Sequence, residues 1–369
     1  MTDRVLLLAG SVGPERVPAR PDGDDADWYL PLHLRDEATA RERIAGQVAA
    51  GADVVVAPTW LTHRRALLPL GETRRAGSWS AAAVRVAREA LEVGLERRME
   101  ALADVSEDNV RRGRPAPRVA AVLPALDDEP ETASGRLLPR EAATERDYRD
   151  QAGVLADAEP DLILVEGQRS EADARTAIAE ATQTGLPTWA ALRPEALAMT
   201  ELPDWIDWAT DHGVERLLLP GPLADRDATH DAPLPWGGLA PADDPLADWL
   251  AAGASAIARL DGANMAVLES LRTAIDDHER ARIEAEHAAR HRWQAHLRLA
   301  AAMAPGGAAV VVGSADDPAL PAGFAWRSVE RPELPYLPPG RFRLIVDAED
   351  RISEGMAKAL ERGGIAVSQ

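Results

Sequence analysis

From Asp36 the sequence DEATARERIAGQVAAGADVVVAPTW sets Ala40, Ile44 and Val48 four residues apart, stops at Gly51, and runs through three consecutive valines into a Pro-Thr-Trp turn. Four-residue spacing of apolar side chains predicts a helix with one buried face, and an unbroken apolar run predicts a strand covered on both faces. Helix, glycine and doubly covered strand together make a parallel αβ unit, which restricts the chain to α/β architectures. The order then recurs. Helix DYRDQAGVLADAEP leads to strand DLILVEG, helix EADARTAIAEATQTG leads to strand LPTWAAL, and a helix from Trp205 leads to the apolar residues 217–219. Ahead of these lie a strand at 4–8 that feeds the turn AGSVGPE, a long helix at 80–104 and a strand at 119–123. A short seventh strand falls within APLPWGGLA. Residues 251–275 close the series, with a strand at 256–258, a turn at 259–264, and a helix whose buried face is Met265, Leu268, Leu271 and Ile275. The prediction is a TIM (β/α)8 barrel over 1–275, followed at 276–369 by a helix and a small α/β appendage.

The 369 residues are long enough for one barrel of about 250 residues and an extension. A net charge of −20 disfavours nucleic acid and anionic membrane as partners, because both bind through a basic face. Lys358 is the single lysine, which leaves the predicted barrel without a Schiff-base or phosphate-loop lysine. The absence of cysteine excludes disulfides and thiolate nucleophiles. No apolar run approaches the roughly 20 residues of a membrane span, so a cytoplasmic protein is expected. Four histidines fall on the helix at 276–303; His287 and His291 share a face without the glutamate of a zincin motif, and read as surface residues.

The cadence GASAIARLDGANMAVLESLR resembles the closing segment of the homocysteine S-methyltransferases. That family of TIM barrels ends its last strand in Gly-Gly-Cys-Cys-Gly, the cysteine pair binding zinc. In register, Leu260 and Asp261 stand where the pair would be, and Gly221 stands where the family places a third cysteine. The opening turn is similar too, with Gly10, Gly13 and Glu15 matched and with Ala9 and Pro14 in place of Asp and Thr. At the second strand Thr59 matches a turn threonine, Trp60 takes the place of an aromatic, and Val56 and Pro58 replace polar residues. The resemblance is closest at 145–192, through the strand ending in Glu166 and the Leu-Pro-x-Trp entry to the next. It implies that Glu166 holds the amino group of an amino-acid substrate. It also implies a zinc site for which this chain lacks the sulfur ligands.

A carboxylate at the carboxyl end of an apolar barrel strand reads as functional, which makes Glu166 the first candidate and Asp261, at the end of the eighth strand, the second. Around them the strand ends are expected to gather Glu15, Thr59, Trp60, Arg193, Trp236, Arg259 and Asn264, with Trp189 further back and free to face either way. Tryptophan rings beside carboxylates can cage a methylated ammonium or sulfonium group, and Arg193 or Arg259 can grip a carboxylate in bidentate fashion. The leading expectation is a barrel that moves a methyl group from a small onium donor to a sulfur acceptor, a thiol or thione, without zinc and without another cofactor. A non-catalytic homologue that binds a small ligand or a protein is the alternative. A lyase or hydrolase using Glu166 and Asp261 as acid and base is a third. The appendage has no role implied by the family; docking on the barrel and pairing as a homodimer both stay open.

Overall fold

The structure is a computed structural model that describes residues 4–10, 31–68, 70–103, 116–126, 145–168, 170–197, 202–220, 234–239, 246–259, 265–303, 307–312, 324–329, 342–347 and 360–368. The chain divides into two compact units, Met1–Glu279 and Arg280–Gln369.

In the first unit eight parallel strands close into a barrel in sequence order: β1 (Leu6–Ala9), β2 (Val54–Ala57), β3 (Arg118–Pro124), β4 (Leu162–Glu166), β5 (Thr188–Ala191), β6 (Arg216–Pro220), β7 (Trp236–Leu239) and β8 (Ala256–Arg259). The ring is completed where β8 pairs with β1, Leu8 opposite Ala258. The helices are α1 (Leu32–Arg35), α2 (Glu37–Ala49), α3 (Arg64–Leu67), α4 (Ala76–Ala103), α5 (Glu145–Asp157), α6 (Glu171–Thr182), α7 (Pro194–Leu197), α8 (Leu202–Asp211), α9 (Leu246–Ala251) and α10 (Met265–Met303). The closed parallel barrel is the architecture read from the sequence.

Local sequence accounts for the first of these units. The Asp36 carboxylate accepts the Thr39 N–H at 2.9 Å and caps α2, and Ala40, Ile44 and Val48 are fully buried along its inner face. Gly51 then turns the chain at φ +105°, where a Cβ would lie 2.5 Å from the Arg272 side chain. Strand alternation sorts the core into two layers. Leu8, Val54, Val56, Ala120, Val122, Leu162, Leu164, Trp189, Ala191, Leu218, Ala256 and Ala258 form the inner cluster within the barrel. Leu7, Val55, Ala121, Ile163, Val165, Ala190, Leu217 and Ile257 face the helices.

The amino ends of the strands carry a polar floor that the sequence pattern does not single out. Asp53, one residue before β2, accepts the Leu7 N–H at 2.9 Å and pairs with the Arg272 guanidinium at 2.8 Å; both side chains are buried. Asp161 repeats the device one residue before β4, accepting the Val119 N–H at 2.7 Å. In each case a carboxylate takes a backbone donor from an adjacent strand, so a strand end is satisfied without water.

The second unit contains a four-stranded sheet of β9 (Gly307–Val312), β10 (Phe324–Val329), β11 (Phe342–Asp347) and β12 (Leu360–Ser368) in the order β10-β9-β11-β12. Every pairing is parallel. Two details depart from the sequence reading. β10 lies inside 318–339, a proline-rich stretch for which the appendage reading named no strand, and Phe324, Trp326 and Val329 supply the strand propensity. The sequence ISEGMAKALERGG at 352–364 reads as a helix, yet its last five residues, 360–364, belong to β12; Gly363 and Gly364 weaken helix there, and the pairing with β11 takes up the irregularity by a register shift between Phe342 and Leu344.

Candidate functional site

Glu166 is the last residue of β4, opposite Pro124 of β3 and Ala191 of β5, and only 6% exposed. Leu162 and Leu164 belong to the inner cluster, so alternation sets Glu166 on the barrel side of its strand, one layer beyond Leu164. Its backbone carbonyl accepts the Ala125 N–H at 3.2 Å, which ties the ends of β3 and β4 together. Gly167 follows at φ +100°, a backbone state that disfavours any side chain. A Cβ on Gly167 would stand 2.9 Å from Cη2 of Trp60. The bare glycine therefore admits the indole directly beside the residue that carries the carboxylate. Gln168, which sequence reasoning missed, is buried next to it and donates its amide to the Leu123 carbonyl at 3.3 Å. Its only signal was its place in the run VEGQ.

Trp60 is held by its neighbours. The Thr59 hydroxyl accepts the Val122 N–H at 2.8 Å and donates to the Val122 carbonyl at 3.3 Å, so it continues the β2–β3 ladder past the end of β2. With its donor and acceptor both engaged on the backbone, Thr59 positions the turn. Thr62 bonds the Thr59 carbonyl at 2.9 Å and the Ser80 hydroxyl at 2.7 Å, anchoring the loop to α4. His63 is fully buried and its Nδ1 accepts the Ala66 N–H, capping α3; burial, aided by the positive charge of Arg65, pushes its pKa down to about 4. His33 of α1, beside the backbone of Pro58 and Trp79, is likewise pushed down to about 4 by burial. Both imidazoles are neutral at pH 7.

The other candidates separate. Arg193 lies two residues past Ala191, the register partner of Glu166, and is half-buried. Trp189 and Ala191 are inner and Ala190 and Leu192 outer, and Arg193 lies just past the end of β5. Arg259 ends β8, but Ala258 is inner and Ile257 outer, so alternation turns Arg259 toward the helices. Trp189 does face inward, yet a layer below Glu166, and its ring is already flanked by the guanidiniums of Arg118 and Arg216, centred 5.1 and 4.9 Å away. Trp236 corrects the expectation that it lines the mouth. It is the first residue of β7, at the strand's amino end, and packs outward against Trp249 of α9 with ring centroids 6.0 Å apart. The reason is the length of β7: only four residues form the strand, and the tryptophan starts it. Thus Glu166, Trp60 and Gln168 come together at the carboxyl ends of β2 and β4, and Arg193 follows the end of β5, while Trp189 and Trp236 belong to packing. Glu15, Asp261 and Asn264 lie outside the described residues, as do Leu260 and Gly221.

A zinc site of three thiolates cannot form from a chain without cysteine. Among the described residues no group of three or more His, Asp or Glu side chains is arranged to hold a metal ion. No described helix is long and apolar enough to cross a membrane.

A family model described as homocysteine S-methyltransferase matches residues 39–206. That stretch contains β2 to β5, and with them Thr59, Trp60, Glu166 and Arg193. Among solved structures, the homocysteine methyltransferase MmuM from Escherichia coli in its oxidized form is 19% identical with a TM-score of 0.54, the match covering 73% of this chain and 95% of that one. Its metallated form is 20% identical with a TM-score of 0.52, covering 73% and 96%. At these identities the likeness is one of fold. No curated protein matches the chain.

Proposed function

We propose that this barrel, whose residues 39–206 match the homocysteine S-methyltransferase family, transfers a methyl group from a small onium donor to a sulfur acceptor without a zinc-thiolate centre. The observation that carries the reading is the pairing at the end of β4: a buried carboxylate, Glu166, next to a glycine that admits the ring of Trp60. A buried carboxylate at that height suits the ammonium of an amino-acid substrate, through a charge-assisted hydrogen bond. An indole face suits a sulfonium or methylated ammonium, worth ~0.5 to 2 kcal/mol when desolvated. Arg193 is proposed to meet a substrate carboxylate.

In the transfer, a lone pair on the acceptor sulfur forms the new S–CH3 bond as the donor's bond to that carbon breaks. The electron pair stays on the donor, which leaves as a neutral molecule. A thione or an acceptor already ionised at pH 7 has no proton to lose in advance, so neither metal nor general base is demanded of the site. Holding the two reactants in line can lower such a barrier by roughly 7 to 11 kcal/mol. Asp261 is proposed to share the opening from the end of β8. A sulfonium amino acid incubated with a panel of thiols and thiones is expected to give methylated product in the presence of a metal chelator. Glu166→Ala should lower kcat/KM by about 10- to 150-fold, the value of a hydrogen bond to a charged group. Activity that follows one tightly held zinc per chain and vanishes on chelation would overturn the reading.

A second reading, a non-catalytic binding homologue, is favoured by Val56, a fully buried residue of the inner cluster where the family resemblance implies a polar one. It is distinguished by tight binding of the onium compound without turnover against any acceptor.

A further inference from the structure

In the barrel β3 lies between β2, whose following turn carries Trp60, and β4, which ends in Glu166. Its last residues are bonded on both sides. Toward β2, Val122 is held through its N–H and its carbonyl by the Thr59 hydroxyl. Toward β4, the Leu123 carbonyl accepts the Gln168 amide and the Ala125 N–H donates to the Glu166 carbonyl. The point that a Cβ on Gly167 would occupy is 2.9 Å from Cη2 of Trp60 and 3.6 Å from the Ala125 nitrogen. Indole, glycine and the end of β3 therefore meet at one place.

Leu126 lies just past the end of β3 and is buried, so its backbone N–H needs an acceptor from the protein. Tyr148 of α5 supplies it. The tyrosine oxygen accepts the Leu126 N–H at 3.3 Å, and its O–H donates to a carboxylate oxygen of Asp173, in the first turn of α6, at 2.6 Å. An ionised carboxylate can only accept, which commits the hydroxyl proton to Asp173 and leaves an oxygen lone pair for Leu126. The ring of Tyr148 is fully buried in the helix-facing part of the core, so the hydroxyl is set in place from outside the barrel. The preceding residue, Asp147, pairs with Arg65 of α3 at 2.7 Å, and α3 is capped by His63 from the loop that carries Trp60. Two successive residues of α5 thus grip the helix after the Trp60 turn and the end of the strand beside Glu166.

We propose that Tyr148 is a positioning residue for this site: by bridging Asp173 and the Leu126 N–H, its hydroxyl fixes the end of β3 and, through it, the spacing between Glu166 and Trp60. The consequence for ligand binding rests on the function proposed above, whereas the effect on spacing does not. Tyr148→Phe keeps the packed ring and removes the bridge. With every tryptophan of the full chain replaced by 5-fluorotryptophan, fluorine NMR reads the surroundings of Trp60, its resonance being assigned by its loss in Trp60→Phe. In Tyr148→Phe that resonance should shift or broaden, while the resonance of Trp236, at the amino end of β7, stays in place. Amide exchange at Leu126 should quicken by about tenfold or more, and a small sulfonium amino acid should bind about 2- to 30-fold more weakly. Asp173→Ala should reproduce the Trp60 shift; Asp173→Asn, which keeps an acceptor oxygen for the tyrosine, should give a much smaller one. A purely structural bond would lower the melting temperature and leave the Trp60 resonance and the affinity of the folded protein where they were. That outcome, or equal displacement of the Trp60 and Trp236 resonances, would overturn the proposal. If the unaltered chain does not bind the sulfonium compound, the function proposed above falls, and the fluorine spectra by themselves decide the role of Tyr148.

Discussion

Gly167 shows how far one residue can govern the candidate site. Its backbone sits at φ +100° and its missing side chain leaves the space that Cη2 of Trp60 fills. Gly167→Ala should therefore cost about 1 to 3 kcal/mol in urea unfolding, from left-handed strain together with overpacking. It should also alter the fluorescence of Trp60, read against a Trp60→Phe background; an unchanged stability would mean that the ring does not rest there. Thr59→Val keeps the shape but strands the Val122 N–H, and should destabilise by about 1 to 3 kcal/mol. His63 makes a pH prediction. Its folded pKa, about 4, lies below the ordinary histidine value of 6.5, so below pH 6.5 the unfolded chain takes up a proton that the folded chain refuses. Stability is thus full above pH 6.5, falls as the pH drops toward 4, and loses on the order of 3 kcal/mol on this residue's account. His63→Asn, which retains a capping side chain, should flatten that part of the stability curve; an identical slope in the variant would contradict the assignment. Glu166 is legible in the sequence because a charged group that ends a wholly apolar strand must sit past the packed layers, which in a barrel puts it at the opening. The orientations of Trp189 and Trp236 are not, since a tryptophan near a strand end is compatible with lumen, floor or helix interface, and only register distinguishes them.

At the scale of elements, the units around β2, β4 and β5 are legible because period, glycine stop and apolar run agree with one another. The 39-residue α10 is less so: its periodic part ends near Ile275 and its remainder is charged, yet it is one helix. β10 and β12 are obscured by surrounding proline and glycine. The floor of the barrel is invisible in pattern, because Asp53 and Asp161 look like ordinary turn residues until the strands they serve are side by side. Asp53 is the test of that floor. Removing it by Asp53→Ala leaves the buried Arg272 without this partner and Leu7 without its acceptor, and should cost about 3 to 5 kcal/mol in chemical denaturation. A loss under about 1 kcal/mol would show that water substitutes for the carboxylate.

Across the whole molecule, a net charge of −20 in 369 residues opposes compaction by self-repulsion. Exposed pairs such as Arg97–Glu42 and Arg85–Glu89 offset little of it. Screening of the repulsion should outweigh the loss of these pairs, so the melting temperature is predicted to rise as salt goes from about 0.05 to about 1 M; a fall would mean that surface pairs outweigh repulsion. The same charge disfavours nucleic acid and suits the small cationic ligand proposed for the barrel's open end. That assignment rests on one arrangement, the buried Glu166 at the end of β4 followed by a glycine against which the ring of Trp60 lies. A crystal structure of the chain soaked with a small sulfonium amino acid tests it most directly. The ligand's ammonium should lie within hydrogen-bonding distance of Glu166, with its methylated sulfur against the face of Trp60. A ligand seated elsewhere, or a zinc ion bound among oxygen and nitrogen ligands at that opening, would contradict it.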